Sequence, residues 1–425
     1  MPGDKSISHR ALILGALSMG TSRIVGLLQA DDVMATAAAL VQLGATVRNQ
    51  KHEWFVTGRG VGGLLEPEAA LDFGNSGTGA RLLMGAVAGH DMTATFSGDA
   101  SLSARPMGRV LQPLELMGLN LKQPGETLPL TLIGTSDLIP IEYRLPVPSA
   151  QVKSAILLAG IHAPGQTSVI EPEPSRDHTE RMLRYLGATV TIGERNRERV
   201  VTVDGDAELV AREIVVPGDP SSAAFLVTGA LLCPGSDVLI ENVLSNPTRT
   251  GFYRCLGEMG ADLVFEGEHE VSGEPVADLR ARAGALHGIT VPAERAPSMI
   301  DEYPCLAVLA AFAQGETRME GLGELRVKES DRLAAMAQGL TACGVEVRIE
   351  GDALIVVGTG QVPGGATVKT EMDHRIAMAF LTLGLGAEQP VAIDDAQMIA
   401  TSFPGFTELM GTLGADLRAV EAGAP

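Results

Sequence analysis

A glycine that ends an apolar helical stretch and leads into an alternating segment recurs six times in this chain. The copies are Leu43-Gly44-Ala45-Thr46-Val47, Met117-Gly118-Leu119-Asn120-Leu121, Leu186-Gly187-Ala188-Thr189-Val190, Met259-Gly260-Ala261-Asp262-Leu263, Cys343-Gly344-Val345-Glu346-Val347 and Leu413-Gly414-Ala415-Asp416-Leu417. Successive glycines lie 69–84 residues apart. Glycine reaches the left-handed conformation that closes a helix without the steric cost a side chain brings, and alternation after it reads as a strand. The interval is too long for a solenoid turn, so each copy marks a small packed subdomain of helices and strands. In the first copy the pattern predicts a helix over 6–17, a strand over 23–27, a second helix over 31–43, and strands over 45–48 and 54–57.

A coarser repeat lies over this one. Pro2-Gly3-Asp4 returns 215 residues later as Pro217-Gly218-Asp219, and the closing glycines Gly44 and Gly260 are offset by 216. The chain therefore reads as α/β, with two homologous halves of three subdomains each, residues 1–217 and 218–425.

Charge narrows the class of partner. The net charge is −20, which argues against nucleic acid or an anionic membrane surface as the main partner. Lysines number six: Lys5, Lys51, Lys122, Lys153, Lys328 and Lys369. A positive site must then be local, built from a few side chains against an acidic background. Aromatic residues are 4% of the chain, so the core is expected to be Ala, Leu, Val, Ile and Met. Cys233, Cys255, Cys305 and Cys343 form no CxxC pair and none sits beside a histidine, which fits free thiols in a reducing cytoplasm rather than disulfides or a zinc site. No stretch is apolar enough to span a membrane, and the N-terminus lacks the basic and apolar regions of a signal peptide.

The unusual polar residues cluster where helices are predicted to start. Lys5-Ser6-Ile7-Ser8-His9-Arg10 opens the first helix, with Ser6 or Ser8 as its expected cap. Phe73-Gly74-Asn75-Ser76-Gly77-Thr78-Gly79-Ala80-Arg81 is a glycine-rich entry that permits close backbone approach to an anion, and it is neither a Walker A loop nor G-x-G-x-x-G. Arg105-Pro106 precedes a second helix, Ser149 caps Ala150-Gln151, and Asp177 is the expected cap after Arg176. In the second half, Asp301-Glu302 precedes a buried run, Lys328 and Arg332 are expected four apart on one helical face, and Asp373-His374-Arg375 heads the last subdomain. Each stretch taken alone is also what a capped helix with a solvated ion-pair ladder looks like. Together they are cations, helix N-termini and two or three carboxylates, with no Ser-His-Asp set, H-E-x-x-H or Cys-His pair. That inventory suits electrostatic stabilisation and proton transfer on a polyanionic substrate, with Asp301 as the natural general base and no metal or covalent nucleophile. If the subdomains pack with pseudo-symmetry, these helix ends are expected to converge on a cleft between the halves.

Pro-Gly-Asp-Lys-Ser-Ile-Ser-His-Arg from Pro2, Gly-Asn-Ser-Gly-Thr from Gly74, Arg-Pro-Met-Gly-Arg from Arg105, Ser-Ala-Gln-Val-Lys-Ser from Ser149, Arg-Val-Lys-Glu-Ser-Asp-Arg-Leu from Arg326 and Asp-His-Arg-Ile-Ala-Met from Asp373 together resemble the 3-phosphoshikimate 1-carboxyvinyltransferase (5-enolpyruvylshikimate-3-phosphate synthase) family, in its class II bacterial wording. The resemblance implies two domains, each of three βαβαββ units, closing over the substrates. It implies transfer of the enolpyruvyl group of phosphoenolpyruvate to the 5-hydroxyl of shikimate 3-phosphate, with release of phosphate, in the cytoplasm, by a monomer that needs no cofactor. By motif, Lys5, Ser6, Arg10, Ser149, Ala150, Gln151, Arg176, Asp301 and Lys328 would hold shikimate 3-phosphate. Lys5, Gly77, Arg105, Gln151, Arg332 and Arg375 would hold phosphoenolpyruvate. Asp301, Glu329 and Lys5 would carry the chemistry, and glyphosate would inhibit at the pocket Gly77 lines.

Two departures stand out. Thr401 occupies a position where many family members carry a lysine that contacts phosphoenolpyruvate. Family chains also start with a further strand ahead of the Pro-Gly motif, so the second half here is expected without it. The alternatives are a UDP-N-acetylglucosamine 1-carboxyvinyltransferase, whose first half carries a Cys or Asp in a mobile loop, and a non-catalytic anion-binding protein on the same fold. No cysteine precedes Cys233, which speaks against the first, and mere binding does not need both Asp301 and Glu329.

Overall fold

A computed structural model describes residues 1–419. They contain helices α1 (Lys5–Ala16), α2 (Asp31–Gln42), α3 (Gly77–Ala88), α4 (Ala100–Ala104), α5 (Gly108–Leu116), α6 (Ala150–Gly160) and α7 (His178–Tyr185) in the first half. The second half has α8 (Pro220–Leu232), α9 (Gly251–Glu258), α10 (Tyr303–Phe312), α11 (Arg332–Ala342), α12 (His374–Leu383) and α13 (Phe406–Thr412). The chain divides into two compact units. One holds Pro2–Gly218 with His269–Val276, the other Asp219–Glu268 with the chain from Ala277 onward.

All six closing glycines have positive φ, from +86° at Gly344 to +115° at Gly118, so the spacing read from the sequence marks real helix ends. A strand follows the first five, at Thr46–Gln50, Asn120–Leu121, Val190–Arg195, Asp262–Val271 and Glu346–Glu350. The sixth differs: residues 415–419 form no strand, and among the described residues the last subdomain has only the parallel pair Thr367–Val368 with Ala392–Ile393.

Each subdomain of the N-terminal unit builds one four-stranded sheet on the same plan. In the first, Thr21–Val25 pairs in parallel with Glu213–Val215 on one side and antiparallel with Glu53–Thr57 on the other, which in turn pairs with Thr46–Gln50. The sheet ordered Leu71–Asp72, Thr93–Ser97, Leu130–Ile133, Asn120–Leu121 repeats it, as does the one ordered Glu142–Arg144, Gln166–Glu171, Glu198–Asp204, Val190–Arg195.

Two kinds of helix alternate. In the N-terminal unit α1, α3 and α6 are buried almost all round, and in the C-terminal unit α8, α10 and α12 are. Past their polar N-terminal turns their sequences are apolar on nearly every face, as a helix enclosed by its neighbours must be. The other helix of each pair is amphipathic; α7, for example, buries Met182 and Leu183 and exposes Arg184. Small residues set the spacing of the inner helices. A Cβ on Gly85 of α3 would stand 2.2 Å from the Ala155 carbonyl oxygen of α6, a contact no rotamer can relieve. The N-termini of these enclosed helices are where the singled-out residues fall: Lys5, Gly77 and Ala150 are first residues, and Asp301 and Asp373 lie just ahead of α10 and α12.

Candidate functional site

In the N-terminal unit α1 is capped by Asp4, whose carboxylate accepts the Ile7 N–H at 2.7 Å. This replaces the expected Ser6 or Ser8 cap; Ser8 is buried and its hydroxyl accepts the Leu28 N–H at 3.0 Å. The Asp4 cap makes Lys5 the first helical residue. Its ammonium pairs with Asp32 in the first turn of α2, so the lysine is held in place while one-fifth of its side chain stays exposed. His9, one turn on, joins α1 to α2 through Thr36 at 2.9 Å, and burial, with Lys5 and Arg10 adding to it, keeps its pKa well below 6.5. It is a neutral brace.

Arg10 is buried. Its Nε donates to Thr179 Oγ1 at 2.7 Å, Nη1 to the Ser6 carbonyl at 2.9 Å and Nη2 to Ser154 Oγ at 2.6 Å. Burial lowers its pKa to about 10, which still leaves it charged at neutral pH. Arg10 thus ties the helix bearing Lys5 and Ser6 to the helix bearing Ala150 and Gln151, and both to α7.

A second constellation surrounds Gly77. Ser76 caps α3, and Gly77 is its first residue. Gln151, next to the Ser149 cap of α6, donates to Thr78 Oγ1 at 2.9 Å and accepts from Arg81 Nη1 at 3.1 Å. Arg105 ends the short helix α4, and the following helix starts at Gly108, so Pro106 lies ahead of it rather than in its first turn. Its Nη2 donates to Asn75 Oδ1 at 2.5 Å and Ser101 Oγ at 3.1 Å, while its buried Nε has no protein partner. Arg105, Gly77, Arg81 and Gln151 therefore share one small volume: a Cβ on Gly77 would lie 2.7 Å from Arg81 Nη1 and 3.3 Å from Arg105 Nη1. Arg81 was not singled out in the sequence, although its place four residues after Gly77 puts it over the same helix end. Arg176 is half-buried ahead of α7. Asp177 does not cap that helix; its carboxylate accepts from Arg181 Nε at 2.9 Å instead.

In the C-terminal unit the organising group is Arg332, 1% exposed at the start of α11. Its Nε donates to Asp373 Oδ2 at 2.7 Å, Nη2 to Glu329 Oε2 at 2.5 Å and Nη1 to Asp301 Oδ1 at 3.3 Å. Burial alone would lower the Arg332 pKa, but Asp373, Glu329 and Asp301 outweigh it and hold the pKa above its usual value. Burial pushes the wholly enclosed Asp373 up; Arg332 prevails, and the carboxylate stays below its ordinary range. Asp373 also caps α12 through the Arg375 N–H at 2.9 Å, and Arg375 Nη1 donates to the Asp301 carbonyl at 3.1 Å. Asp301, Glu329, Arg332 and Arg375 are thereby brought together, and Asp373, missed as a site residue, anchors them. Lys328 is half-buried and lies in the segment between the 3₁₀ turn Gly323–Val327 and α11, so it and Arg332 do not share a helical face. Thr401 spends its hydroxyl on the Met398 carbonyl at 2.7 Å, at the end of a 3₁₀ turn.

One buried group of the N-terminal unit has ligand-like proximity: Asp177, His178 and Glu274. His178 Nδ1 lies 2.7 Å from Glu274 Oε1, and Arg181 and Arg199 reach Asp177 at 2.9 and 3.9 Å. Two guanidinium groups already supply the charge a cation would bring, so the group reads as an ion-pair network.

The EPSP synthase family model (3-phosphoshikimate 1-carboxyvinyltransferase) matches residues 1–410. Proteins named 3-phosphoshikimate 1-carboxyvinyltransferase from Cereibacter sphaeroides and Paramagnetospirillum magneticum are 58% and 60% identical over 421 residues, covering 99% and 98% of this chain and 95% and 94% of theirs. A solved structure of EPSP synthase from Acinetobacter baumannii superposes with a TM-score of 0.87 at 44% identity, over 97% of this chain and 94% of that one. The enolpyruvyl transferase NikO from Streptomyces tendae shares the fold alone, with a TM-score of 0.73 at 18% identity over 98% of this chain and 94% of its own.

Proposed function

The chain belongs to the EPSP synthase family, from which we infer that it transfers the enolpyruvyl group of phosphoenolpyruvate to the 5-hydroxyl of shikimate 3-phosphate and releases phosphate. The observation that carries the reading is the Arg332 clamp. It fixes two partly exposed carboxylates, Asp301 and Glu329, around one enclosed guanidinium, and leaves Asp373 as the buried counter-charge. A protein that only binds anions gains nothing from presenting two carboxylates beside its cations. An enzyme that takes a proton from an attacking hydroxyl and exchanges one at a methylene carbon needs them.

The residues divide by chemistry. Lys5, Ser6, Arg10, Ser149, Ala150, Gln151, Arg176 and Lys328 hold shikimate 3-phosphate, with Asp301 at the reacting hydroxyl. Gly77, Arg105, Gln151, Arg332 and Arg375 hold phosphoenolpyruvate. Asp301 and Glu329 handle the two protons, and Lys5 stabilises the departing phosphate. Positive charge fixed before the substrates arrive needs little reorganisation as the phosphate leaves. In this reading the chain works as a cytoplasmic monomer, and glyphosate inhibits at the phosphoenolpyruvate pocket. No described helix is long and apolar enough to cross a membrane. Of the Cys or Asp that the UDP-N-acetylglucosamine alternative carries in its first half, the cysteine is absent here, since the first cysteine is Cys233.

The test is a phosphate-release assay with both substrates on the wild type and on Asp301→Ala. Release that depends on both substrates and falls by at least about a hundredfold in the variant is expected for a residue acting on the reacting proton. Release with UDP-N-acetylglucosamine in place of shikimate 3-phosphate, or an unaffected variant, overturns the reading.

A further inference from the structure

Lys153 lies inside the apolar face of α6 with its side chain wholly enclosed. Its ammonium stands 3.0 Å from Glu171 Oε2, 2.8 Å from Glu180 Oε1 and 3.4 Å from the Ser175 carbonyl oxygen. Glu171 ends the strand Gln166–Glu171, and its other oxygen accepts the Ser175 N–H at 3.2 Å and the Ser175 hydroxyl at 2.5 Å. Arg199 approaches Glu171 at 3.7 Å and Glu180 at 3.8 Å, so two positive and two negative groups face one another.

The segment under this network is Glu171-Pro172-Glu173-Pro174-Ser175-Arg176. Pro172 and Pro174 have no N–H, so a hydrogen-bonded ladder cannot hold the loop. Its fixed point is Ser175, gripped at its N–H and hydroxyl by Glu171 and at its carbonyl by Lys153. The next residue is Arg176. A buried ionic cluster is a poor source of stability compared with apolar packing of the same volume. Where its members are hydrogen-bonded, as Lys153, Glu171 and Ser175 are, it does select one geometry. Here that geometry is the peptide from which Arg176 departs.

We propose that Lys153 is a positioning residue for substrate phosphate: through Glu171 and Ser175 it fixes the peptide that presents Arg176, and so sets affinity for shikimate 3-phosphate without touching it. The inference rests on the reading of Arg176 as a ligand of that substrate.

The test uses the full chain and four variants: Lys153→Met, Glu171→Gln, Arg176→Ala, and the double variant Lys153→Met/Arg176→Ala. Calorimetry gives the Kd for shikimate 3-phosphate, and steady-state kinetics gives kcat and the KM for phosphoenolpyruvate. Lys153→Met and Glu171→Gln are expected to weaken shikimate 3-phosphate by about tenfold or more, the scale of one charge-assisted hydrogen bond. The kcat at saturation and the KM for phosphoenolpyruvate are expected to stay within about threefold, because uniform binding is what is lost. In the Arg176→Ala background, Lys153→Met is expected to add less than about twofold, since it acts through a group already gone. An unchanged Kd in folded Lys153→Met, or a full additive effect in the double variant, overturns the proposal. If Lys153→Met does not fold, Glu171→Gln, which keeps Lys153 paired with Glu180, decides by the same readout. Unchanged affinity in Arg176→Ala alone overturns the reading of Arg176 itself, and is told apart because that variant leaves Lys153 intact.

Discussion

Replacing Gly77 by alanine puts one methyl group where the structure has no room for it. The new Cβ would lie 2.7 Å from Arg81 Nη1, 3.3 Å from Arg105 Nη1 and 3.6 Å from Leu102 Cδ1. Both close contacts are the tips of flexible side chains, so the fold survives and the cost falls on the arginines. Arg81 must retreat by roughly 0.7–1 Å to reach ordinary contact distance. Its Nη1 is the atom that donates to Gln151 Oε1 at 3.1 Å, so that bond breaks or lengthens beyond use. A charge-assisted hydrogen bond is worth about 1.5–3 kcal/mol, which corresponds to roughly 10–100-fold in affinity. The KM for phosphoenolpyruvate is therefore expected to rise by about tenfold or more in Gly77→Ala, with the melting temperature within a few degrees of wild type. Glyphosate inhibition is expected to weaken in parallel. Steady-state kinetics with phosphoenolpyruvate varied at saturating shikimate 3-phosphate measures it, and Arg81→Met serves as a mimic that leaves Gly77 in place. A Gly77→Ala enzyme with its KM for phosphoenolpyruvate unchanged, or with tighter glyphosate inhibition, refutes the steric argument.

Arg332→Met removes the partner of three carboxylates, one of them wholly buried, and is expected to cost about 3–5 kcal/mol of stability at pH 7 and to abolish turnover. Burial already pushes Asp373 up, and Arg332, with His374 adding to it, holds it down, so without Arg332 its pKa is expected to rise above the unfolded value. A carboxyl of that kind gains stability as pH falls, so the gap between variant and wild type should narrow from pH 7 to pH 5 in urea unfolding; a constant gap would refute the assignment. His162 titrates the other way. Burial, then its neighbour His90 at 4.8 Å between ring centroids, lowers its pKa to about 3, and its enclosed Nε2 has no partner. Its neutral form is favoured in the fold, so stability present above the unfolded pKa of about 6.5 is lost as pH falls toward 3, with a limiting slope of about 1.4 kcal/mol per pH unit. His162→Phe should flatten that slope between pH 6 and 4, and an unaltered slope would show that the ring does not carry it.

What could be read from the residues alone follows how local each cause is. A left-handed helix end forces glycine, so Gly44, Gly118, Gly187, Gly260, Gly344 and Gly414 announce themselves one by one, and positive φ is found at each. The enclosed helices announce themselves too, because a run such as Cys305-Leu306-Ala307-Val308-Leu309 offers water no polar face. Caps were less legible. Asp4, Ser6 and Ser8 are all competent, and the choice falls on Asp4 because Ser8 is committed to Leu28, twenty residues away. Pairings across long separations were not legible at all: Arg332 with Asp373 spans 41 residues and Lys153 with Glu180 spans 27. No spacing rule links such pairs. Lys328 and Arg332 show the converse error, since a four-residue spacing implies a shared face only if both residues are helical, and α11 starts at Arg332.

The same pairings explain how a chain of net charge −20 keeps cations ready for an anionic substrate. Each important cation has its own fixed oxygen ligands: Lys5 has Asp32, Arg10 has Ser6, Ser154 and Thr179, Arg332 has Asp373, and Arg375 has the Asp301 carbonyl. If Lys5 takes a substrate phosphate as proposed, some binding energy is given up, because the phosphate must share Lys5 with Asp32. In return the long side chains are ordered before binding, so the entropy of fixing them does not count against the complex. On the proposed assignment, the neutral partners of Arg10 do not compete with the substrate for its charge, whereas the buried carboxylate of Asp373 fixes Arg332 in place. The acidic surface and the basic site are then one design: local pairing inside each unit sets the charge geometry, and the net charge of the chain does not.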